Sequence, residues 1–265
     1  MALGTIIKKF RQKPPLGSQI NWGHPLSKGL VGCWLMNEGR GNKINEIVKG
    51  KPATNVGGTW IAGLNYQQLK FGTLSGKYVN CGNVGEFSGN QTIFIMFNWD
   101  GSSNGTHRLI NRPISDSTGS DSSYSVVLYS GTTLKFDVET SSIGTYKSAS
   151  TAISAGYHKL FCINNMQGTV DIILNNKRTV GDSWSGGSRR TDNTFNTYFS
   201  RWNSTYEQNW VNSISYVCMW NRILSPSEIR QLYAEPYCFI NPPTVWSKFK
   251  TAVEAVIDNS QYWIM

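Results

Sequence analysis

The chain has few charged residues, and acidic residues are the scarcer kind. Charged residues make up 15% of the 265, where an average soluble domain has about 25%. The 16 acids stand against 25 lysines and arginines, which gives a formal net charge of +9. This composition, with 39% hydrophobic residues and 26 glycines, excludes general disorder as well as a coiled coil or helical bundle. It is typical of a β-rich, turn-rich protein of one large or two small domains.

Long hydrophobic runs are missing as well. No stretch approaches the roughly 18 apolar residues of a transmembrane helix. Residues 1–15 carry charges without the apolar region of a secretory signal. We therefore expect a soluble protein that is synthesised in the cytoplasm and has no membrane partner.

Cysteine and histidine are too sparse for a metal site. The five cysteines have no CxxC spacing, and the three histidines follow no HExxH pattern. An odd number of cysteines, most of them among apolar neighbours, predicts reduced thiols rather than a disulfide framework. Neither a metal nor a cofactor is expected.

Two patterns bear on enzymatic activity. Residues 101–105 match G-x-S-x-G around Ser103, but a nucleophile elbow turns directly into a helix, and residues 106–113 look like a strand or loop.

Asp137 and Glu139 lie two apart on one strand face, and a glycosidase needs two carboxyls about 5 Å apart or somewhat more. We predict a flexible turn and a solvated acid pair, and hence no enzyme; a glycoside hydrolase is the third alternative.

Two basic pairs, Lys177-Arg178 and Arg189-Arg190, stand near tryptophans, a combination that admits nucleic-acid binding through charge and stacking. Because they are pairs rather than runs, we predict solvated loop charges and no specific nucleic-acid partner.

Short apolar runs alternate with Gly, Asn and Ser clusters at the spacing of a sandwich or barrel. The predicted strands are 29–36, 68–71, 91–99, 124–129, 133–138, 158–164, 169–174, 197–199 and 213–220. One helix is predicted after Leu224, because Ser225, Pro226 and Glu228 form a capping box. A second helix over 244–258, with one apolar side, is predicted at an oligomer axis.

Several of these segments resemble the laminin G-like, concanavalin A-like family. Residues 156–160 with 170–177 are similar to its "G-W-H … v-x-l-Y-v-N-G-k" hairpin, and residues 214–229 to its "G-x-I-D-E-V-x-I-Y-N-R-A-L-S-x-x-E-I" motif. With residues 29–39, the resemblance spans about 25–240. It implies an all-β antiparallel β-sandwich jelly roll with one concave sheet.

One departure from that family concerns a metal. The acids that the family places after the Ile of the second motif, often tied to a calcium site at the sandwich edge, are Ser215 and Tyr216 here. Calcium takes about six to eight oxygen ligands, including carboxylates. We therefore do not expect a calcium site at this position.

The two ends of the domain, residues 19–26 and 237–243, also resemble laminin G-like proteins of tailed bacteriophages. We divide the chain into a basic arm (1–19), a jelly-roll domain (20–240) and a tail (241–265). Together with the missing secretory signal, the basic arm and the C-terminal tail, this resemblance leads us to expect a non-enzymatic structural protein of the virion, a capsid decoration protein held by its terminal arms. Its partners would be the major capsid protein or another virion protein and further copies of the chain, with weak adhesion to surface glycans.

The arm is basic and partly apolar, and we expect it to lie in an acidic groove of a shell protein. The expected attachment residues are Ile6, Ile7, Lys8, Lys9, Phe10, Arg11 and Lys13.

The alternative function is a carbohydrate-binding, lectin-like module, either part of a receptor-binding fibre or a free lectin. Aromatic faces stack on sugar rings, and loops on a rigid sandwich commonly carry recognition. The candidates are Trp184, Tyr198, Trp202, Tyr206 and Trp210, and for each of them core packing is the competing interpretation.

Overall fold

A computed structural model describes residues 12–62, 67–72, 76–102, 105–114, 122–142, 144–185, 187–191, 194–201 and 210–243. The strands in this part are β1 Gln19–Ile20, β2 Leu30–Trp34, β3 Lys43–Ile44, β4 Ala53–Val56, β5 Thr59–Ala62, β6 Gln67–Lys70, β7 Tyr78–Asn80, β8 Gln91–Trp99, β9 His107–Pro113, β10 Ser122–Tyr129, β11 Thr133–Glu139, β12 Tyr146–Ala152, β13 Gly156–Asn164, β14 Thr169–Leu174, β15 Lys177–Ser183, β16 Tyr198–Phe199, β17 Ser213–Trp220 and β18 Ile240–Asn241. They are accompanied by a 3₁₀ helix, Pro25–Ser27, and an α-helix, α1 Pro226–Ala234. Neither of these helices has the length and apolar character that crossing a membrane would take.

The strands form two large antiparallel sheets and a small ribbon. The front sheet has the order β12-β11-β10-β9-β16-β7-β4-β3. The back sheet has the order β15-β14-β13-β8-β17-β6-β5, and β2 also pairs with β17. The ribbon consists of β1 and β18, which come from opposite ends of the domain.

Both sheets contribute to one central core. Alternate residues of β8, among them Ile93, Ile95 and Phe97, meet Val126 and Phe136 of the front sheet in a single cluster. Each of these side chains is fully buried, and such burial stabilises the fold by about 1.5–3 kcal/mol per side chain. The predicted all-β antiparallel sandwich is confirmed.

A second core covers the outer face of the back sheet. The intervening residues of β8, Phe94 and Met96, pack there with Ile229 and Leu232 of α1 and with the C-terminal Phe239. Because β8 is buried on both faces, its apolar residues run without a break. The helix begins as predicted, since Ser225 accepts a hydrogen bond from the Glu228 amide and Glu228 accepts one from the Ser225 amide.

All nine predicted strands are present, three of them, β8, β14 and β17, with the predicted bounds. Three basic residues differ from the prediction. Lys177 and Arg178 lie on an edge strand, β15, rather than in a loop. Arg189 is only 5% exposed and is not a solvated loop charge. The predicted helix over 244–258 lies outside the described residues.

All five cysteines are free, as expected. Cys33 and Cys218 face each other across β2 and β17, with their Sγ atoms 3.2 Å apart. Burial raises the pKa of Cys33, Cys81 and Cys162 well above the ordinary thiol value, which keeps these thiols protonated.

Candidate functional site

The outer faces of the two sheets differ in chemistry. The second core covers the back sheet with apolar side chains. On the front sheet, the side chains that do not point into the central core are mostly polar or aromatic, as the register of its strands shows. A polar sheet face held on a rigid sandwich is the natural place for recognition.

A row of directly paired residues crosses all eight strands of the front sheet. Directly paired residues of antiparallel strands share a face of the sheet, so the row forms one line, about 34 Å long for seven steps of about 4.8 Å. The row consists of Lys43, Thr54, Asn80, Tyr198, Asn111, Ser125, Asp137 and Ser148. Every member carries a hydrogen-bonding group.

The middle of this row is packed. Arg108 is 5% exposed, and its Nη1 donates to Ser125 Oγ at 2.9 Å. Burial lowers the pKa of Arg108, while the electrostatic effect of Tyr129, Asp137 and Tyr146 acts in the opposite direction. The centre of the face therefore holds a buried cation within a hydrogen-bonded network.

An accessible aromatic ring lies on the same sheet face as the row, beyond Ser125 on β10. Tyr129 is 37% exposed, and the Lys135 ammonium lies 5.8 Å from the centre of its ring. Lys135 Nζ is 2.8 Å from Asp137 Oδ1, to which Ser148 Oγ donates at 2.5 Å. We call Tyr129, Lys135, Asp137 and Ser148 the Tyr129 patch. It combines an aromatic surface with a charged pair and a hydroxyl, the groups that bind sugar rings and sugar hydroxyls.

Towards the other end of the row, the aromatic residues pack on one another. Tyr78 and Tyr198 meet edge to face with their centroids 5.9 Å apart. The Arg201 guanidinium lies 4.2 Å from the centre of the Tyr78 ring. Tyr198 itself is 9% exposed, so its ring is used in packing.

Of the five aromatic residues predicted for glycan stacking, three are in the described part, and all three are buried. Trp210 is fully buried, and Trp184 is 8% exposed with its Nε1 donating to Asn164 Oδ1 at 2.7 Å. Neither they nor Tyr198 offers a ring face to a sugar, which favours the packing interpretation. Trp202 and Tyr206 lie outside the described residues.

The acid pair of β11 is not solvated as predicted, because Asp137 is 7% exposed and Glu139 is fully buried, and both contact cations. Asp137 is held by Lys135, and Glu139 Oε1 lies 3.3 Å from Arg190 Nη1 and accepts from the Gly144 amide at 2.9 Å. A glycosidase needs one carboxyl that donates a proton to the leaving group. Each of the two carboxylates is engaged in an ion pair, Asp137 with Lys135 and Glu139 with Arg190.

The G-x-S-x-G segment does not lead into a helix. Ser103 lies outside the described residues, but Ser102 folds back on Asp100, whose Oδ1 accepts from the Ser102 amide at 2.9 Å and from its hydroxyl at 2.5 Å. The next element is the strand β9. A nucleophile elbow requires a strand-to-helix turn, and the structure therefore supports the predicted Gly/Ser turn.

A groove of about 400 Å³ opens beside α1 on the outer face of the back sheet. Its floor includes Ile163, Ile173 and Ile229. At its rim, Arg178 forms an ion pair with Asp171 at 2.5 Å. Among the residues that line it there is no aromatic side chain, so it lacks a stacking surface for a sugar.

Lys13 is not free to contact a partner protein, which corrects its assignment to an exposed attachment arm. Its ammonium donates to the carbonyl oxygens of Met36 at 2.8 Å, Gln67 at 2.6 Å and Ser215 at 2.6 Å. Burial lowers its pKa well below the usual value. The other predicted attachment residues lie outside the described part; they are Ile6, Ile7, Lys8, Lys9, Phe10 and Arg11.

The two ends of the described chain meet in the second core, on the outer face of the back sheet. β1 pairs with β18 through Ile20 and Ile240. A Cβ atom added to Gly17 would lie 3.6 Å from Pro243 Cβ. The residues before 12 and after 243 are therefore joined to the same side of the domain.

No protein-family model matches this chain, and no curated protein matches it. Solved structures do match. The binding domain of Paraclostridial Mosquitocidal Protein 1 has a TM-score of 0.61 at 13% identity over 78% of this chain and 52% of its own. The binding domain of botulinum neurotoxin serotype G has 0.60 at 15% identity over 77% and 50%. Trypanosoma rangeli sialidase in complex with sialic acid has 0.59 at 12% identity over 80% and 34%. This chain spans about a third to a half of those proteins, and it shares their β-sandwich fold of the jelly-roll type.

Proposed function

We propose that this protein is a non-enzymatic, lectin-like module that binds carbohydrate on the outer face of its front sheet. The observation that carries the proposal is the Tyr129 patch, where the exposed Tyr129 ring and the Lys135 ammonium lie beside the polar row that crosses the front sheet. Glycans offer many hydroxyls and an apolar ring face, and this surface offers partners for both.

The absence of an acid pair placed for hydrolysis in the described residues supports binding without turnover, because Asp137 and Glu139 are each held by a cation. The solved structures with this fold include toxin binding domains and a sialidase bound to sialic acid. Because of these neighbours, the glycans tested for binding should include sialylated as well as neutral ones.

The direct test is glycan binding by a Tyr129→Ala variant. We expect the wild type to bind at least one of the glycans tested. The variant should bind that glycan roughly tenfold more weakly, a loss of about 1.4 kcal/mol in binding free energy, because the stacking surface is lost. Isothermal titration calorimetry with the retained glycan measures the difference.

Tyr157→Ala is the matched control, since Tyr157 has the same 37% exposure but lies on β13 of the back sheet. Its affinity should equal that of the wild type. Equal losses in both variants, or no glycan retained by the wild type, would reject the proposal.

A second candidate function is attachment to the virion of a tailed phage as a capsid decoration protein, with the major capsid protein as partner. The specific observation in its favour is that both terminal segments join the domain on the same side, through the ribbon of β1 and β18. Segments that leave from one side can hold the sandwich to a shell while the Tyr129 patch stays accessible. The two functions are compatible in one protein.

Deletion of residues 1–11 separates the two functions. We expect the deletion to lower the number of copies on purified particles at least tenfold, and to leave glycan affinity unchanged, because Lys13 and the sandwich remain intact. Electron cryo-microscopy and mass spectrometry of particles measure occupancy, with a Val180→Ala variant at an exposed edge as control. Particles that carry full occupancy after the deletion contradict the attachment role of the arm.

A further inference from the structure

Three backbone carbonyls from distant parts of the chain converge on the Lys13 ammonium. They belong to Met36 beyond β2, Gln67 at the start of β6, and Ser215 within β17. The Nζ–O distances of 2.6 to 2.8 Å are those of strong hydrogen bonds to a charged donor. An ammonium has three donors and no acceptor, so these three oxygens satisfy it completely. We call the three oxygens the carbonyl cage.

A carboxylate adds negative charge beside the cage. The electrostatic effect of Glu38 raises the pKa of Lys13 against the larger effect of burial. Glu38 Oε1 accepts from the Asn45 amide at 2.7 Å, whereas its Oε2 is buried and accepts no hydrogen bond in the described structure. Such oxygen groups without a donor of their own are what a hard cation binds.

The donor set does not fit calcium. The family that this chain resembles places acids at the positions of Ser215 and Tyr216, often as part of a calcium site. Here Ser215 Oγ donates to Met96 O at 2.9 Å, and Tyr216 is buried in the second core. This leaves three carbonyls and one nearby carboxylate, fewer ligands than the roughly six to eight that calcium takes.

We infer that the carbonyl cage is a cation site and that the chain fills it with its own ammonium, Lys13, in place of a metal ion. The site takes a primary ammonium, or an alkali-metal ion of similar size. Lys13 belongs to the same chain as the cage, so its effective concentration is high and free ions do not compete with it. The ammonium joins β2, β6 and β17 near Ser215, where β17 changes its pairing partner from β6 to β2.

The test removes the built-in cation and supplies a free one. Lys13→Ala should lower Tm by at least about 5 °C, because the cage loses a buried, charge-assisted donor. Methylammonium chloride at 0.1 M to 0.5 M should then restore at least half of that loss, with potassium chloride less effective. Tetramethylammonium chloride at the same ionic strength is the control, since it has no N–H donor and should restore nothing.

Two further measurements serve as controls, one on the fit of an ammonium to the carbonyl cage and one on calcium binding. Lys13→Met keeps most of the side-chain stem, which blocks the cage without a charge, so its Tm should fall and should not respond to methylammonium. In the wild type, neither calcium nor a chelator should move Tm. If Lys13→Ala does not fold, the yield of refolded protein with methylammonium against tetramethylammonium replaces Tm as the readout. Equal responses of Lys13→Ala to the two salts, or a calcium-dependent Tm of the wild type, would overturn the inference.

Discussion

Replacing Trp210 with alanine will lower the free energy of unfolding by about 3–5 kcal/mol, the usual cost of truncating a buried tryptophan. Trp210 is fully buried between the sheets, with its ring 5.3 Å from Phe97 and 5.5 Å from Trp99, centroid to centroid. Its backbone amide donates to Ser200 Oγ at 2.9 Å. Truncation leaves a cavity at a place where strands of both sheets meet. Urea denaturation followed by circular dichroism measures the loss.

The same experiment separates a core residue from a binding residue. Tyr129→Ala, at the exposed end of β10, should change the free energy of unfolding by less than about 1 kcal/mol, because surface substitutions have small effects. We thus expect the first variant to lose stability and the second to lose glycan affinity. If the Trp210→Ala variant is as stable as the wild type, the ring does not contribute to the core, and Trp210 becomes a candidate for glycan stacking again.

The tryptophans show what the sequence can and cannot predict about a binding face. A ring that stacks on a sugar and a ring that fills a core are the same side chain, and polar residues next to it in the sequence do not tell the two apart. Trp184 and Trp210 therefore satisfied the composition of a glycan site while packing inside the sandwich. The distinction depends on the pairing of distant strands, and no local pattern contains that information.

Tyr129 was missed for a related reason. It is the last residue of β10 and comes directly before the turn at Ser130-Gly131, so its period-2 alternation with Ser125 and Val127 is visible only once the strand is known to be polar on one face. Strand β10 combines serines in its first half with apolar residues 126–128, and the sequence alone does not show that Ser125 belongs to a row across eight strands.

The elements that were predicted well carry local signals. The capping box of α1 involves neighbours in sequence, and the long strands β8, β14 and β17 are apolar throughout. By contrast, β15 is exposed along its length and forms a sheet edge, where neither alternation nor hydrophobicity marks a strand. Its Lys177 and Arg178 therefore looked like loop charges.

Arg189 was the opposite case, a charge expected in solvent that lies in the core. Burial lowers its pKa to about 10, and its guanidinium lies 5.3 Å from the Tyr124 ring and 5.7 Å from the Phe87 ring. Its Nη2 donates to Ser123 O at 3.1 Å. Side chains contributed by distant strands accommodate it, so the local sequence could not reveal its burial.

The second large effect concerns the carboxylate that faces this buried charge. Glu86 forms an ion pair with Arg112, which is fully buried and also donates to Asn83 Oδ1 at 2.8 Å and Thr197 Oγ1 at 3.3 Å. The Glu86 charge also acts on Arg189. One carboxylate thus balances two guanidinium groups at this end of the central core.

Glu86→Gln will lower the free energy of unfolding by about 3 kcal/mol, because it keeps the shape of the side chain and removes the charge that offsets the desolvation of Arg112 and Arg189. The value lies at the low end for a buried pair, since the Glu86 side chain is 20% exposed. Urea midpoints at pH 7 give the difference.

Asp171→Asn is the matched control, a carboxylate-to-amide change in an ion pair whose cation can turn to solvent. The Arg178 side chain is 60% exposed, so water replaces the lost partner and the cost should be about 1 kcal/mol.

Adding Arg112→Met to Glu86→Gln should recover part of the stability, since one of the two buried charges is then gone. Equal losses of stability in the Glu86 and Asp171 variants would show that the carboxylate does not balance the buried arginines. The same conclusion would follow if the double variant lost as much free energy of unfolding as its two single substitutions together. The end of the core would then be held by the neutral hydrogen bonds of Arg112 alone.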